Sequence, residues 1–218
     1  MSPRTPPRQA FSPKELRLID SLRTPRQVQR FLRQFPYNWE KTLRSFRGVV
    51  GHGRAHCLEA VLFAATVLEQ HGYPALALDL ESQDGLDHVL FVYQQGGRWG
   101  TVARSRDEGL HGRKPVFATV GALVSSYMDP YVDGEGRIVG YGVFHLDDLT
   151  RVDWRLGSTN VWSVEQALRR VEHRKVQMGE TRYQQTLARF EALKAARAGS
   201  LSARDWRLHL RSQTTTWL

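Results

Sequence analysis

Hydrophobic residues recur at helical spacing through much of the first 70 residues of the chain. Ser12 and Thr24 each precede a proline and then an apolar pattern of this kind, which predicts two short amphipathic helices with capped N-termini. A later segment, residues 58–70, is apolar around nearly its whole circumference, so we expect a helix that is buried on most sides. Gly72 follows this segment and predicts its end.

After the predicted buried helix, the spacing of hydrophobic residues changes from helical to alternating. Alternation of this kind predicts β-strands at residues 75–80, 86–93, 99–103 and 138–144. The glycine pair at 96 and 97 predicts a hairpin that joins the second and third strands as antiparallel neighbours. Asp79 is expected near the end of the first strand, in a solvated or capping role.

These patterns divide the chain into three parts. Residues 1–10 are rich in proline and basic residues, which predicts a disordered arm. Residues 11–160 are expected to form one α+β domain with helices at its N-terminal end. Residues 161–218 predict a basic helical C-terminal extension, broken near Gly179.

Composition narrows the class of protein. With 218 residues, 41% of them hydrophobic, the chain can bury a sizeable core. A single cysteine excludes an intramolecular disulfide framework, and no apolar run approaches the roughly 20 residues of a membrane span, so we expect a cytoplasmic protein. The net charge of +9 would attract an acidic protein or nucleic acid, but its arginines are spread along helices, so specific nucleic-acid recognition is not favoured.

The single cysteine, Cys57, lies where a glycine-flanked loop at residues 51–53 leads into the buried helix. The unpaired N–H groups and positive dipole end of a helix N-terminus favour a thiolate. His88, on the second predicted strand, could serve as the base for this thiol. The alternatives are structural: a free cysteine is commonly a small buried hydrophobe, and a histidine among apolar residues is commonly part of the core.

Four short motifs, at residues 53–60, 72–75, 87–92 and 98–100, together resemble the core of the transglutaminase-like superfamily, a branch of the papain-like cysteine enzymes. The resemblance covers about residues 46–107 and implies a helix bearing Cys57 packed on an antiparallel sheet. It implies that Cys57 is the nucleophile and His88 its base. The aspartate that orients the histidine in this family would fall at Ala103, so its role passes to Ser105, to Asp107 or to no residue.

The resemblance implies hydrolysis or acyl transfer at a peptide or isopeptide amide through a Cys57 thioester, without a cofactor. The N–H of Cys57 is the expected first donor to the oxyanion, and Trp39, His52 and His56 are candidates for a second donor or for substrate binding. His52, His56 and Cys57 could also bind a metal ion. The glycines at 51 and 53 favour a loop there instead, so we predict no metal site.

A second hypothesis comes from another class of protein. The same fold could serve as a catalytically silent binding or scaffold module, whose basic helices beyond residue 163 engage an acidic partner or nucleic acid. The two hypotheses differ in the reactivity that they predict for Cys57, since only the first requires an activated thiol.

Overall fold

The structure is a computed structural model that describes residues 5–106, 108–132, 135–196 and 217. The α-helices in these ranges are α1 (Pro13–Ser21), α2 (Pro25–Gln34), α3 (Phe46–His52), α4 (Cys57–Glu69), α5 (Val120–Tyr131), α6 (Leu146–Leu149), α7 (Trp162–Leu168) and α8 (Glu180–Ala196). The strands are β1 (Leu76–Ser82), β2 (His88–Gln95), β3 (Arg98–Val102), β4 (Ile138–His145) and β5 (Arg174–Lys175).

Helices α1 and α2 begin at the residues that the sequence predicts. The Ser12 hydroxyl accepts the Glu15 N–H at 3.3 Å, while the Glu15 carboxylate accepts the Ser12 N–H at 2.7 Å. Thr24 and Gln27 form the same reciprocal pair at the start of α2. Both helices bury apolar residues in the core cluster that contains α4, so the first two predicted helices are confirmed.

The five strands form one antiparallel sheet in the order β3-β2-β1-β4-β5. One face of the sheet packs against a core cluster that includes residues of α1 to α4, and the other face packs against residues of α5 and α8. Helix α4 lies directly against β2. The predicted fold class is therefore confirmed: an α+β protein in which the helix bearing Cys57 packs on an antiparallel sheet.

Between residues 162 and 196 the chain forms two helices with a short strand between them. Helix α7 ends at Leu168, and the chain then adds β5 to the edge of the sheet before α8 begins at Glu180. Lys175 lies opposite Gly140 of β4, and its ammonium group pairs with Glu81 of β1 at 2.9 Å. Gly140 and Glu81 lie far from Lys175 in the sequence, so the hydrophobic pattern around Lys175 could not predict these contacts.

Both ends of the chain contact the core where the structure describes them. The Pro6 carbonyl accepts a hydrogen bond from Gln70, and residues 8–10 form one turn of 3-10 helix. Near the C-terminus, the Trp217 indole N–H donates to the Thr101 carbonyl at 3.3 Å, and Arg33 donates to the Trp217 carbonyl at 2.6 Å. Across the described ranges, no helix combines the length and apolar character needed to cross a membrane.

Candidate active site

Cys57 is the first residue of α4 and is half-buried in a cleft. The segment before it is fixed by backbone hydrogen bonds: the Asn38 N–H donates to the Ala55 carbonyl at 3.2 Å, and the Ala55 N–H donates to the Pro36 carbonyl. The Cys57 N–H is the first N–H of α4, so it has no carbonyl partner within the helix. The thiol and this N–H are therefore held at one end of the buried helix.

His88 is buried at the start of β2, where the register places it opposite Leu80. Its Nε2 lies 2.9 Å from the carbonyl oxygen of Leu110. Because a carbonyl only accepts hydrogen bonds, Nε2 carries the proton and Nδ1 is the nitrogen left for the Cys57 thiol. The His88 ring and the Cys57 thiol line the same cavity, and hydrogen bonding to this ring lowers the pKa of the thiol.

A second imidazole, that of His56, lines the cleft beside Cys57 and also lowers the pKa of the thiol. His56 is the N-cap residue of α4, and its Nε2 lies 2.8 Å from the Thr42 carbonyl oxygen and 3.7 Å from Glu59 Oε1. Cys57 therefore lies between two histidines, one on its own segment and one on the sheet.

These contacts change the ionisation of the thiol. Burial alone would raise the pKa of Cys57, but hydrogen bonds from His56 and His88, and the charges on both rings, lower it from 9.0 to about 5. Burial lowers the pKa of His56, yet its contacts with Cys57, Glu59 and the Thr42 carbonyl raise it from 6.5 to about 8. At neutral pH the site therefore holds a thiolate beside an imidazolium.

Glu59 lies beneath this pair, fully buried in the first turn of α4. Its Oε1 accepts hydrogen bonds from the Thr42 hydroxyl and the Arg44 N–H, both at 2.9 Å. Its Oε2 accepts from the Asn38 side-chain amide at 2.8 Å and from the His56 N–H at 3.2 Å. One carboxylate thus ties the residues before α4 to the first turn of the helix and fixes the position of His56.

Within the described part of the chain, the group bonded to Nε2 of His88 is a backbone carbonyl. Ala103 is buried, and both its N–H and its carbonyl bond to the Gln29 side chain. Ser105 is buried too and lines the cavity that Cys57 and His88 share, whereas Asp107 lies outside the described residues. The imidazole bonds instead to the Leu110 carbonyl, which the sequence could not single out because every residue has a carbonyl group.

Hydrogen bonds among its own residues fix the loop that carries Leu110. The buried Arg113 guanidinium donates to the Gly109 carbonyl at 2.8 Å and to the His111 carbonyl at 2.7 Å, on either side of Leu110. His111 Nε2 lies 3.0 Å from the Ser105 carbonyl oxygen, and burial lowers the pKa of this imidazole to about 3, so it remains neutral. These contacts hold the Leu110 carbonyl in place.

The structure brings two of the three candidate oxyanion or substrate-binding residues to the cleft. His56 lines it beside Cys57, and Trp39 lies at its rim with 73% of its surface exposed. His52 is the last residue of α3, where its Nδ1 lies 2.8 Å from the Gly48 carbonyl oxygen, and it does not line the cleft. Among the described side chains, no three of the metal-binding types are grouped to hold an ion.

Asp79 lies in a different environment from the one that the sequence predicts. It occupies the middle of β1 with only 3% of its surface exposed, and its Oδ2 lies 3.0 Å from His173 Nε2. Burial raises the pKa of Asp79 to about 6 against the lowering effect of His173, and the charges of Asp87 and Cys57 raise it further. The expectation of a solvated strand end was wrong, because the partner is 94 residues away in sequence.

No protein-family model matches the chain, and no curated protein matches it. Among solved structures, the chain is similar to Legionella pneumophila LapG in its EGTA-treated form, with 13% identity, a TM-score of 0.38, and coverage of 84% of this chain and 92% of that one. The calcium-bound form of LapG gives 14% identity and a TM-score of 0.35, over 75% of this chain and 94% of the other. These values describe a distant likeness in fold.

The lowered pKa of Cys57 predicts a characteristic pH profile of alkylation. Because the thiolate persists until the pH falls through about 5, the rate with iodoacetamide should change little between pH 8 and pH 6 and then fall at lower pH. A thiol with its ordinary pKa of 9.0 would instead lose rate about tenfold for each pH unit over that range. Stopped-flow or mass-spectrometric alkylation between pH 4 and 9 measures this profile.

Two histidine variants test the cause of that profile. His56→Gln should move the midpoint upward because it removes one of the two imidazoles that lower the pKa of the thiol. His52→Gln is the matched control, since His52 is exposed on α3 and bonds to a backbone carbonyl of its own helix. Equal midpoints in the two variants would contradict a role for His56 in ionising Cys57.

Proposed function

We propose that this protein is a cysteine hydrolase or acyltransferase of the transglutaminase-like type, acting on an amide bond of a peptide or protein through a Cys57 thioester. The observation that carries the proposal is the arrangement of three groups around one cavity: the thiol at the start of α4, the His88 imidazole, and the Leu110 carbonyl that fixes its tautomer. A nucleophile, a base and a group that orients the base are the parts that such chemistry requires.

In the first step the Cys57 thiolate attacks the carbonyl carbon of the amide, and the carbonyl oxygen becomes an oxyanion. The Cys57 N–H at the start of α4 is available to donate to that oxygen, and the positive end of the helix dipole favours the negative charge. The proton that the Cys57 thiol has given up to His88 Nδ1 then passes from that nitrogen to the amide nitrogen. The C–N bond breaks, the amine leaves, and a thioester on Cys57 remains.

In the second step His88, now neutral, accepts a proton from a water molecule or an incoming amine. The activated oxygen or nitrogen attacks the thioester carbon, and the sulfur leaves as a thiolate. The product is an acid in hydrolysis and a new amide in transfer. His56 remains a fixed cation beside the sulfur throughout, since Glu59 and the Thr42 carbonyl hold its ring in place.

A peptide library tests the proposal and separates the two reactions. The wild-type protein should cleave a subset of peptides, seen by mass spectrometry as new carboxyl termini, and added glycine methyl ester should be incorporated if transfer occurs. Cys57→Ala should abolish both products, because it removes the nucleophile and little else.

The contrary result would favour the silent binding module. If Cys57 alkylates no faster at pH 7 than a free thiol, and no peptide changes in the library, the proposal of an enzyme fails. The basic residues of the predicted C-terminal extension would then be the ones to examine for an acidic partner.

A further inference from the structure

The cleft beside Cys57 has a volume of about 790 Å³ and a mainly apolar wall. Its apolar lining includes Leu58 of α4, Val89 of β2, and Trp162 and Leu168 of α7. Asp79 lines the same cleft from β1. A buried carboxylate among apolar side chains, next to the candidate nucleophile, is costly unless something compensates for its charge.

The structure compensates only part of that charge. His173 bonds to Oδ2 of Asp79, while Oδ1 is buried and accepts no hydrogen bond from any residue that the structure describes. Asp79 cannot turn away, because its backbone lies between Val89 of β2 and Gly142 of β4 in the middle of the sheet. The cleft is therefore lined by a fixed carboxylate with one acceptor oxygen still unpaired.

The other charged residues of the cleft differ from Asp79 in exposure or pairing. Glu165 and Arg169 pair with each other at 2.7 Å, on successive turns of one helical segment. Glu40, Lys41, Asp87 and Arg106 are exposed at the rim, where water screens their charge. The His56 cation and the Cys57 thiolate lie side by side and offset each other. The buried charge that is left is that of Asp79, and it is negative although the whole chain carries a net charge of +9.

We propose that this cleft binds a lysine or arginine side chain of the substrate, with its cation at Asp79 and its methylene groups along the apolar wall, near the amide that Cys57 attacks. The inference rests on the proposed function and adds the chemical class of the substrate. A cation can donate to the unpaired oxygen and neutralise the buried charge, which a neutral or anionic side chain cannot do. The long methylene stem of a basic residue suits a wall of leucine, valine and tryptophan.

Two matched affinity reagents test the preference on the unaltered protein. Lysyl and norleucyl chloromethyl ketones with the same blocking group differ chiefly in the terminal ammonium, and each alkylates a thiolate with loss of chloride. We expect the lysyl reagent to inactivate Cys57 about tenfold faster or more at equal low concentration. Equal rates, or a faster norleucyl reagent, would overturn the inference.

Two variants on the same strand locate the preference. Asp79→Asn should reduce the ratio of lysyl to norleucyl rates to near 1, because the amide keeps the shape of the side chain without its charge. Glu81→Gln is the matched control: Glu81 lies on β1 like Asp79, pairs with Lys175 of β5 and does not line the cleft, so this variant should keep the ratio. A ratio unchanged by Asp79→Asn would also overturn the inference.

A protection experiment keeps the test informative if Asp79→Asn does not fold. Nα-acetyl-lysine N-methylamide should slow the alkylation of wild-type Cys57 by iodoacetamide more than the norleucine analogue does, and equal protection contradicts the inference. The outcomes also separate the two proposals. A Cys57 that reacts like an ordinary thiol with every reagent defeats the proposed function, whereas a fast reaction without preference for the cation defeats this inference alone.

Discussion

Replacing His88 by alanine is expected to lower kcat/KM for amide cleavage about 10³-fold. In the proposed mechanism the variant loses the group that protonates the leaving amine, while His56 keeps its bond to the Thr42 carbonyl. The thiol should remain more acidic than an ordinary cysteine, since His56 still contacts it. Cleavage of a peptide found in the library, together with the pH profile of alkylation, measures both effects.

His71→Ala is the control for this variant. His71 is a partly buried histidine whose Nε2 lies 2.9 Å from the Ile19 carbonyl oxygen, away from the cleft, so its loss should leave kcat/KM within about twofold of wild type. If His88→Ala keeps kcat/KM within a factor of about three, His88 is not the general base. His56 would then be the residue to test in that role.

Replacing Glu59 by alanine is expected to destabilise the protein by about 3–5 kcal/mol. The change removes the acceptors of the Asn38 amide, the Thr42 hydroxyl and two backbone N–H groups, and leaves a cavity at a fully buried position. Each buried donor left unpaired costs about 1–3 kcal/mol. Urea unfolding followed by tryptophan fluorescence gives the free energy of unfolding.

The comparison with Glu59→Gln separates the shape of this side chain from its charge. The amide fills the same space but accepts fewer hydrogen bonds, so we expect a smaller loss of stability than in Glu59→Ala. In both variants the midpoint of Cys57 alkylation should rise, because Glu59 raises the pKa of His56. Wild-type stability in Glu59→Ala would contradict the structural role assigned to this carboxylate.

The parts of the fold that local sequence determines could be predicted. The capping pairs of Ser12 and Thr24 lie within one helical turn, and the hairpin depends on Gly96 and Gly97, which adopt the left-handed conformation with φ of 56° and 70°. The positions of Cys57 at a helix start and of His88 on a strand could be predicted for the same reason, because a short run of residues around each determines the local structure.

The parts that depend on distant contacts could not be predicted. The short strand β5 exists because it pairs with β4, and its two residues carry no strand pattern of their own. Asp79 is buried because His173, 94 residues later, bonds to it. The role of Glu59 was hidden too, because a glutamate in the first turn of a helix is ordinary and only the packed structure shows four donors converging on it.

The bond between His88 and the Leu110 carbonyl has a consequence for how related sequences are judged. A carboxylate in that role is lost by a single substitution, whereas a backbone carbonyl is present whatever amino acid occupies position 110. A relative with the same cysteine and histidine but no acidic residue after the third strand should therefore not be classed as inactive on that ground. The carbonyl stays in position only if the loop keeps its path and Arg113 keeps its hydrogen bonds to the loop. The length of the loop is therefore a better marker of a competent site than the amino acid at position 110.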